Sequence, residues 1–173
     1  QNLLLSTDSF HACFNPSPSD GTRIAPTEYC PWRGRRLRGE VHDENAAGLG
    51  GIAGHAGLFG SAADLCKLAA YYLDTEHEFI ADALRGASIS CQVSANEPGE
   101  PLPTAAEYKS EHYALIRRGL GWILYTPTAS CGPDWGTNGF GHTGFTGTSL
   151  WCDPDCGLTV ALLTNRVYNG RDP

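Results

Sequence analysis

Residues 139–149 read Gly-Phe-Gly-His-Thr-Gly-Phe-Thr-Gly-Thr-Ser, and the fold can be inferred outward from this segment. An apolar run follows it, then an Asp-Pro dipeptide, and then a second apolar run over residues 158–167. This order is typical of a strand, a turn and a second strand. Glycine inside a strand often marks a close approach of a ligand or of another backbone. We therefore expect His142, Thr143 and Gly144 to lie at a strand edge that can bind a ligand.

The remaining chain predicts one clear helix and a long loop. Apolar residues recur at helical spacing over residues 62–73, where Ser61 can cap the helix and Asp64 adds negative charge to its first turn. A second helical stretch is predicted over residues 78–85, ended by a glycine. Residues 92–112 are rich in proline and polar residues and predict a loop or an insertion. These elements predict an α+β fold with an antiparallel sheet, a packed helix and long loops.

The composition excludes several classes of protein. The net charge of -7 argues against a nucleic-acid partner, which usually meets a basic face. No apolar run reaches the ~18–20 residues of a membrane segment. The seven cysteines are scattered, so no structural metal is predicted. Reduced thiols favour a cytoplasmic setting, and an extracytoplasmic bacterial setting stays open.

The glycine-rich segment over residues 48–60 does not match a known cofactor loop. It lacks the Gly-Lys-Ser/Thr ending of a phosphate loop, and no hydrophobic strand precedes it as in a dinucleotide fingerprint. No cofactor is therefore predicted. The chain also contains no methionine, which predicts that it is part of a longer protein.

The nucleophile signatures of common hydrolases are absent from the sequence. There is no Gly-x-Ser-x-Gly elbow, and neither Lys67 nor Lys109 lies three residues after a serine, so there is no Ser-x-x-Lys. The histidines are the remaining candidates for chemistry. A metal-dependent enzyme is one interpretation of this set, and its ligands would be His42, Asp43, His55 and His142.

Three segments carry a resemblance to a known family. Residues 50–65 form a glycine-rich approach to a helix that begins Ser-x-x-Asp, residues 119–122 read Gly-Leu-Gly-Trp, and residues 142–144 read His-Thr-Gly. In this order they resemble the C-terminal part of the penicillin-recognising serine hydrolases, namely class C beta-lactamases, D-alanyl-D-alanine peptidases and related esterases. The resemblance covers residues 22–168.

The resemblance implies roles for residues around the His-Thr-Gly segment. His142 would stand where the family usually has lysine and would donate a hydrogen bond to the substrate carboxylate or to the catalytic base. Thr143 and Gly144 would bind the substrate. Phe145 would give its backbone N–H to the oxyanion hole, where a fixed donor commonly contributes ~3 kcal/mol to lowering the barrier. His55 and Ala56 would line the cleft beside the nucleophile.

The sequence also departs from the family's pattern. The family's Ser-x-x-Lys and Tyr-x-Asn lie upstream of the matching region and occur nowhere here, and its C-terminal helix is missing as well. We therefore expect residues 1–173 to form a single incomplete domain that lacks its own N-terminal part. By this interpretation the chain alone is inactive, and its parent is a bacterial serine hydrolase that cleaves an ester or amide bond of a small-molecule or peptide substrate through an acyl-enzyme. The alternative is a non-catalytic relative that binds peptides or cell wall.

Overall fold

The computed structural model describes residues 11–74, 80–94 and 117–171. The chain divides into two compact units. The first consists of Gln1–Leu65, Gly144–Thr148 and Leu162–Pro173, and the second of Cys66–Thr143 and Ser149–Ala161. The single domain expected from the sequence stays a prediction.

The first unit is built from short elements. They are β1 (Cys13–Phe14), a 3-10 helix (Pro18–Arg23), β2 (Tyr29–Cys30), β3 (Arg35–Arg36), α1 (Glu44–Gly48) and β4 (Leu58–Phe59). β1 pairs antiparallel with β4, and β2 pairs antiparallel with β3. Gly34, between β2 and β3, has a φ of 66°, a left-handed conformation that glycine adopts without steric cost. The buried apolar side chains of this unit are Cys30, Leu37, Val41, Ala46 and Val167.

Helix α2 spans Ala62–Leu73, as the apolar spacing predicts. The predicted cap is also confirmed, because Oγ of Ser61 accepts a hydrogen bond of 3.2 Å from the N–H of Asp64. The Asp64 carboxylate in turn accepts hydrogen bonds from the backbone N–H and the hydroxyl of Ser61 and from the backbone N–H of His11. Asp64 is only 2% exposed, so these hydrogen bonds replace the water that its charge would otherwise bind.

The second unit contains most residues of a six-stranded sheet. Its strands are β5 (Val93–Ser94), β6 (Arg117–Arg118), β7 (Ile123–Leu124), β8 (Phe140–Thr143), β9 (Thr148–Asp153) and β10 (Leu158–Leu163), in the order β10-β9-β8-β7-β6-β5. Every pairing from β5 to β9 is antiparallel. The ring of Phe140 is fully buried and contacts those of Tyr72 and Trp122, with centroids 5.9 and 5.3 Å away, while the Tyr72 and Trp122 rings contact each other at 5.1 Å.

The strand, turn and strand predicted after the His-Thr-Gly segment are confirmed by β9 and β10. The expected position at an edge is wrong, because β8 lies inside the sheet between β7 and β9. Gly141 on β8 is opposite Trp151 on β9, and a Cβ added to Gly141 would overlap the Trp151 ring and the Leu150 carbonyl. The glycine in this strand therefore permits close packing against β9 rather than ligand approach.

The second helix lies at other residues than the sequence predicts. The structure has α3 at Asp82–Ile89, so Gly86 lies inside the helix and does not end it, while residues 75–79 lie outside the described residues. In the predicted loop, Val93–Ser94 forms β5, and residues 95–112 also lie outside the described residues. No described helix is long and apolar enough to cross a membrane. The α+β class is confirmed.

Candidate active site

The turn that follows β8 has a defined hydrogen-bonding pattern. Gly147 donates its N–H to the Gly144 carbonyl at 3.0 Å, and Gly144 donates its own N–H to the Thr148 carbonyl at 2.6 Å. Gly147 has a φ of 106°, which closes the three-residue hairpin loop as glycine commonly does at this position. A Cβ on Gly144 would overlap Oγ1 of Thr148. The geometry of the turn therefore requires glycine at residue 147, whereas a side chain at Gly144 would force the Thr148 hydroxyl to move.

The carbonyl groups of the turn accept hydrogen bonds, but two of its N–H groups find no acceptor among the described residues. Arg166 donates from Nε to the Phe145 carbonyl at 2.8 Å and from its backbone N–H to the Thr146 carbonyl at 3.0 Å. The Thr164 hydroxyl donates to the Gly147 carbonyl. The two N–H groups without an acceptor among the described residues are those of Phe145 and Thr146. A fixed turn with an open N–H is what an oxyanion donor needs.

The side chain of Phe145 is held by cationic and aromatic neighbours in the first unit. Its ring stacks on that of His42 with centroids 5.6 Å apart and an interplanar angle of 27°. The guanidinium groups of Arg166 and Arg171 lie 4.8 and 5.8 Å from its centroid. Such stacked and cation–π contacts each contribute about 0.5–1.5 kcal/mol. They restrain the conformation of the turn, although the ring is 55% exposed.

His42 belongs to a buried ionic network of the first unit. Its Nε2 lies 2.9 Å from Oε1 of Glu28, and because a carboxylate only accepts, Nε2 donates. Arg171 donates from Nε to the same oxygen at 2.7 Å and also pairs with Glu44. The side chains of Glu28 and His42 are 7% and 9% exposed. The hydrogen bond from Arg171 lowers the pKa of Glu28 more than any other contact does, and keeps this carboxylate charged.

His55 is the other predicted site residue with a carboxylate partner. Its Nε2 lies 3.1 Å from Oδ1 of Asp43, which also accepts from the N–H of Ala46 at 2.7 Å as the cap of α1. The Ala46 N–H, followed by His55, lowers the pKa of Asp43. The ring of His55 is oriented by an ionised group and is 57% exposed. Ala56 is half-buried, and its carbonyl accepts from the N–H of Ala53 at 3.2 Å.

His142 lies at the end of β8, in the second unit, with a different set of partners. Nδ1 is 2.7 Å from the Thr143 carbonyl, which only accepts, so Nδ1 carries the proton. Nε2 is 3.2 Å from a terminal nitrogen of the Arg118 guanidinium, which only donates, so Nε2 accepts. The ring is thus a neutral imidazole with both nitrogens engaged. Within this pair the hydrogen-bond donor is Arg118 and the acceptor is His142.

The described residues offer no ligand cluster that would support the metalloenzyme interpretation. Among the described residues, no group of three or more His, Cys, Asp or Glu side chains is arranged to hold a metal ion. Nε2 of His42 is directed at Glu28, and Nε2 of His55 is directed at Asp43. These carboxylate partners orient the two rings within the first unit.

Sequence reasoning missed the charged residues that surround the predicted ones. They are Glu28, Arg118, Arg166 and Arg171. Arg118 had a usable signal, because the Arg-Arg pair comes directly before the Gly-Leu-Gly-Trp segment that carries the resemblance. Arg166 likewise follows the apolar run of β10 directly.

Comparison with known proteins identifies the family. A family model described as Beta-lactamase matches residues 7–173. The chain belongs to the beta-lactamase family. This confirms the predicted relationship to the beta-lactamase-related serine hydrolases.

Curated relatives in this family carry two kinds of name. An N-acetylmuramyl-L-alanine amidase of Bacillus subtilis is 32% identical over 148 residues, which are 85% of this chain and 31% of that protein. A putative D-alanyl-D-alanine carboxypeptidase of Escherichia coli K12 is 30% identical over 138 residues, covering 77% of this chain and 28% of that protein. The chain therefore spans less than a third of the length of these relatives.

A solved structure of a beta-lactamase from Mycobacterium bovis is also similar to this chain. It has a TM-score of 0.48 and 23% sequence identity, and the match covers 77% of this chain and 43% of that one.

Proposed function

We propose that this chain supplies the His-Thr-Gly strand and the oxyanion donor of a serine hydrolase, and that a segment outside the 173 residues supplies the nucleophile. The observation that carries the proposal is the turn after β8, whose carbonyls are bonded while the N–H of Phe145 has no acceptor among the described residues. An oxyanion donor has to be fixed before charge develops, and this turn meets that requirement. Thr143 and Gly144 would bind the substrate beside it.

The proposed substrate is an acylated alanine of cell-wall peptide material. The names of the two relatives specify an N-acetylmuramyl-L-alanine bond and a D-alanyl-D-alanine bond, and both are amides of alanine. In the proposed reaction a serine oxygen attacks the amide carbonyl, and the amine leaves with a proton. Water then hydrolyses the acyl-enzyme and regenerates the serine. His55, oriented by Asp43, and Ala56 would line the cleft beside the nucleophile.

The experiment uses the chain extended by the residues encoded before Gln1. A fluorescent penicillin should label the extended protein at a serine and leave the 173-residue chain unlabelled. Phe145→Pro in the extended protein removes the proposed donor, and proline is favoured at the second position of such a turn. We expect it to slow labelling by about 100-fold, as loss of one oxyanion donor does.

Phe145→Ala is the matched control, because it removes the ring contacts and keeps the N–H. Its labelling should stay within about tenfold of the unsubstituted protein, since each ring contact is weak. Equal rates for the proline and alanine variants would refute the oxyanion role. An unlabelled extended protein would refute the hydrolase proposal and favour the non-catalytic relative that binds peptides or cell wall.

A further inference from the structure

The antiparallel pair of β2 and β3, with the residues that follow it up to 39, differs in charge from the chain as a whole. This basic hairpin, residues 29–39, contains four arginines and no acidic residue, whereas the whole chain has a net charge of -7. The arginines are Arg33, Arg35, Arg36 and Arg38. The negative net charge already provides solubility, so a positive cluster of this kind favours an anionic partner.

Most of this positive charge is not paired with a carboxylate. Arg33 and Arg36 each donate to two backbone carbonyl groups, which orient the guanidinium group and carry no net charge. Arg38 is exposed and has no polar contact in the part of the chain that the structure describes. Of the four, only Arg35 pairs with a described carboxylate, that of Glu40. The hairpin therefore presents positive charge that an anionic ligand can neutralise.

Aromatic rings accompany the arginines on the exposed surface of the hairpin. Tyr29 is directly opposite Arg36 in the strand pair, so the two side chains project from the same face. The Arg36 guanidinium also lies 4.1 Å from the ring centroid of Tyr168. Trp32 occupies the turn between β2 and β3 and is 68% exposed, while Tyr29 and Tyr168 are 55% and 43% exposed. The first unit thus carries a surface of exposed aromatic and cationic side chains.

This combination matches the surface of an anionic lipid bilayer. Tryptophan and tyrosine collect at the depth of the lipid headgroups, because each ring has an apolar body and a polar group. Each arginine near an anionic lipid surface strengthens binding about fivefold.

A single-stranded nucleic acid is the rival partner, because it also binds arginine and aromatic side chains. Its bases stack on open aromatic faces. Arg33 and Arg36 already occupy one face of Trp32 and Tyr168, with guanidinium carbons 5.2 and 4.1 Å from the ring centroids. The arrangement therefore favours a lipid surface.

We propose that the basic hairpin binds the surface of an anionic lipid bilayer. The Trp32 ring enters the headgroup layer, and the exposed guanidinium groups of Arg36 and Arg38 bind lipid phosphates. This binding concentrates the protein at a membrane. It uses no residue of the proposed oxyanion turn, so it goes beyond the proposed function and does not depend on it.

The test compares two kinds of vesicle. One is pure phosphatidylcholine, which is neutral, and the other contains one part of phosphatidylglycerol to three parts of phosphatidylcholine and is anionic. Sedimentation of the 173-residue chain with each kind gives two partition coefficients. We expect at least about tenfold stronger binding to the anionic vesicles, and a smaller difference in high salt, which screens exposed charges. Equal binding to both kinds, or binding to neither, would overturn the proposal.

Charge variants separate the hairpin from the net charge of the chain. Arg38→Gln removes one positive charge and no polar contact, and it should weaken binding to the anionic vesicles about fivefold. The matched control is Lys67→Gln, the same change of charge at an exposed position of α2. It should weaken binding less than about twofold, because Lys67 lies outside the hairpin. Equal losses would mean that binding follows net charge alone, which contradicts the proposal.

Variants of Trp32 test whether the hairpin enters the headgroup layer. Trp32→Ala should weaken binding about tenfold, since the ring no longer leaves water, and Trp32→Phe should stay within about threefold. Leu84→Ala is the control, because Leu84 on α3 is also exposed, and its binding should be unchanged. Brominated lipids should quench tryptophan emission of the wild-type chain and not of Trp32→Phe. Undiminished binding of Trp32→Ala, or undiminished quenching in Trp32→Phe, would refute insertion of the hairpin.

A fluorescent single-stranded oligonucleotide tests the rival partner under the same conditions. We expect it not to bind. If it binds and the anionic vesicles do not, the hairpin recognises a nucleic acid and the proposal is overturned. Circular dichroism shows whether each variant is folded, and Trp32→Phe carries the test if the alanine variant is not.

Discussion

His42 and His142, one in each unit, have opposite hydrogen-bonding roles. Nε2 of His42 donates to a buried carboxylate, whereas Nε2 of His142 accepts from an arginine. The Glu28 carboxylate accepts hydrogen bonds from His42 and Arg171, and its side chain is only 7% exposed. The Arg118 charge has no counter-charge among the described residues.

This difference indicates different uses for the two histidines. A buried charge with a full set of partners contributes to one fixed conformation, and removal of a partner leaves an unsatisfied ion. A partly exposed charge that has no counter-ion among the described residues contributes little to stability. We therefore expect the first network to determine the stability of the turn at Phe145, and the second pair to contribute little to stability.

Removal of Glu28 should have the largest effect on stability. Glu28→Ala leaves Nε2 of His42 without its acceptor and Arg171 without its main partner, so we expect the free energy of unfolding to fall by about 3 kcal/mol. Urea unfolding measures it. The control is Glu40→Ala in the same unit, where Glu40 pairs with the exposed Arg35 and little change is expected. Similar losses for the two variants would show that burial of the Glu28 network adds no stability.

Low pH should lower the stability of the first unit, because it protonates the buried carboxylate of Asp64. Burial alone would raise the pKa of Asp64, but hydrogen bonds from Ser61 and His11 outweigh it and lower the pKa from 3.8 to about 2. A carboxyl group with a lowered pKa stabilises the fold above its unfolded value and loses that contribution as pH falls through the folded value. The contribution is about 2 kcal/mol, present above about pH 4 and lost towards about pH 2.

The measurement for Asp64 compares the wild-type chain with Asp64→Asn in urea at several pH values. The variant should be less stable by about 2 kcal/mol near neutral pH, and the two curves should converge at about pH 2. Asp82→Asn is a control, because Asp82 is 76% exposed in its pair with Arg85. A difference that stays constant with pH would mean that the charge of Asp64 is not what stabilises the cap.

Local patterns in the sequence predicted the elements that local interactions determine. Helix α2 and its cap involve Ser61 and Asp64, three residues apart, so the signal and the structure lie in the same short window. The same reasoning misplaced α3, because a glycine costs a helix only about 1 kcal/mol and packing can override it at Gly86.

The surroundings of the candidate site could not be predicted in this way. The partners Glu28 and Arg171 are 143 residues apart, and Arg118 and His142 are 24 residues apart with β7 between them in the sheet. No periodicity or motif links positions at such separations. The histidines could be singled out by residue type, but whether each would donate or accept depends on partners that only the fold brings together.

The same substitution at both histidines gives the smallest and most direct test of the comparison. His42→Gln should lower the free energy of unfolding by about 1 kcal/mol, since it removes the ring that stacks on Phe145 in a buried position. His142→Gln should change it by less than about 0.5 kcal/mol, because the site is exposed and the new amide oxygen can still accept from Arg118. Urea unfolding of the two variants under identical conditions measures both values. Equal losses would contradict the division between a stabilising network and a pair that adds little to stability.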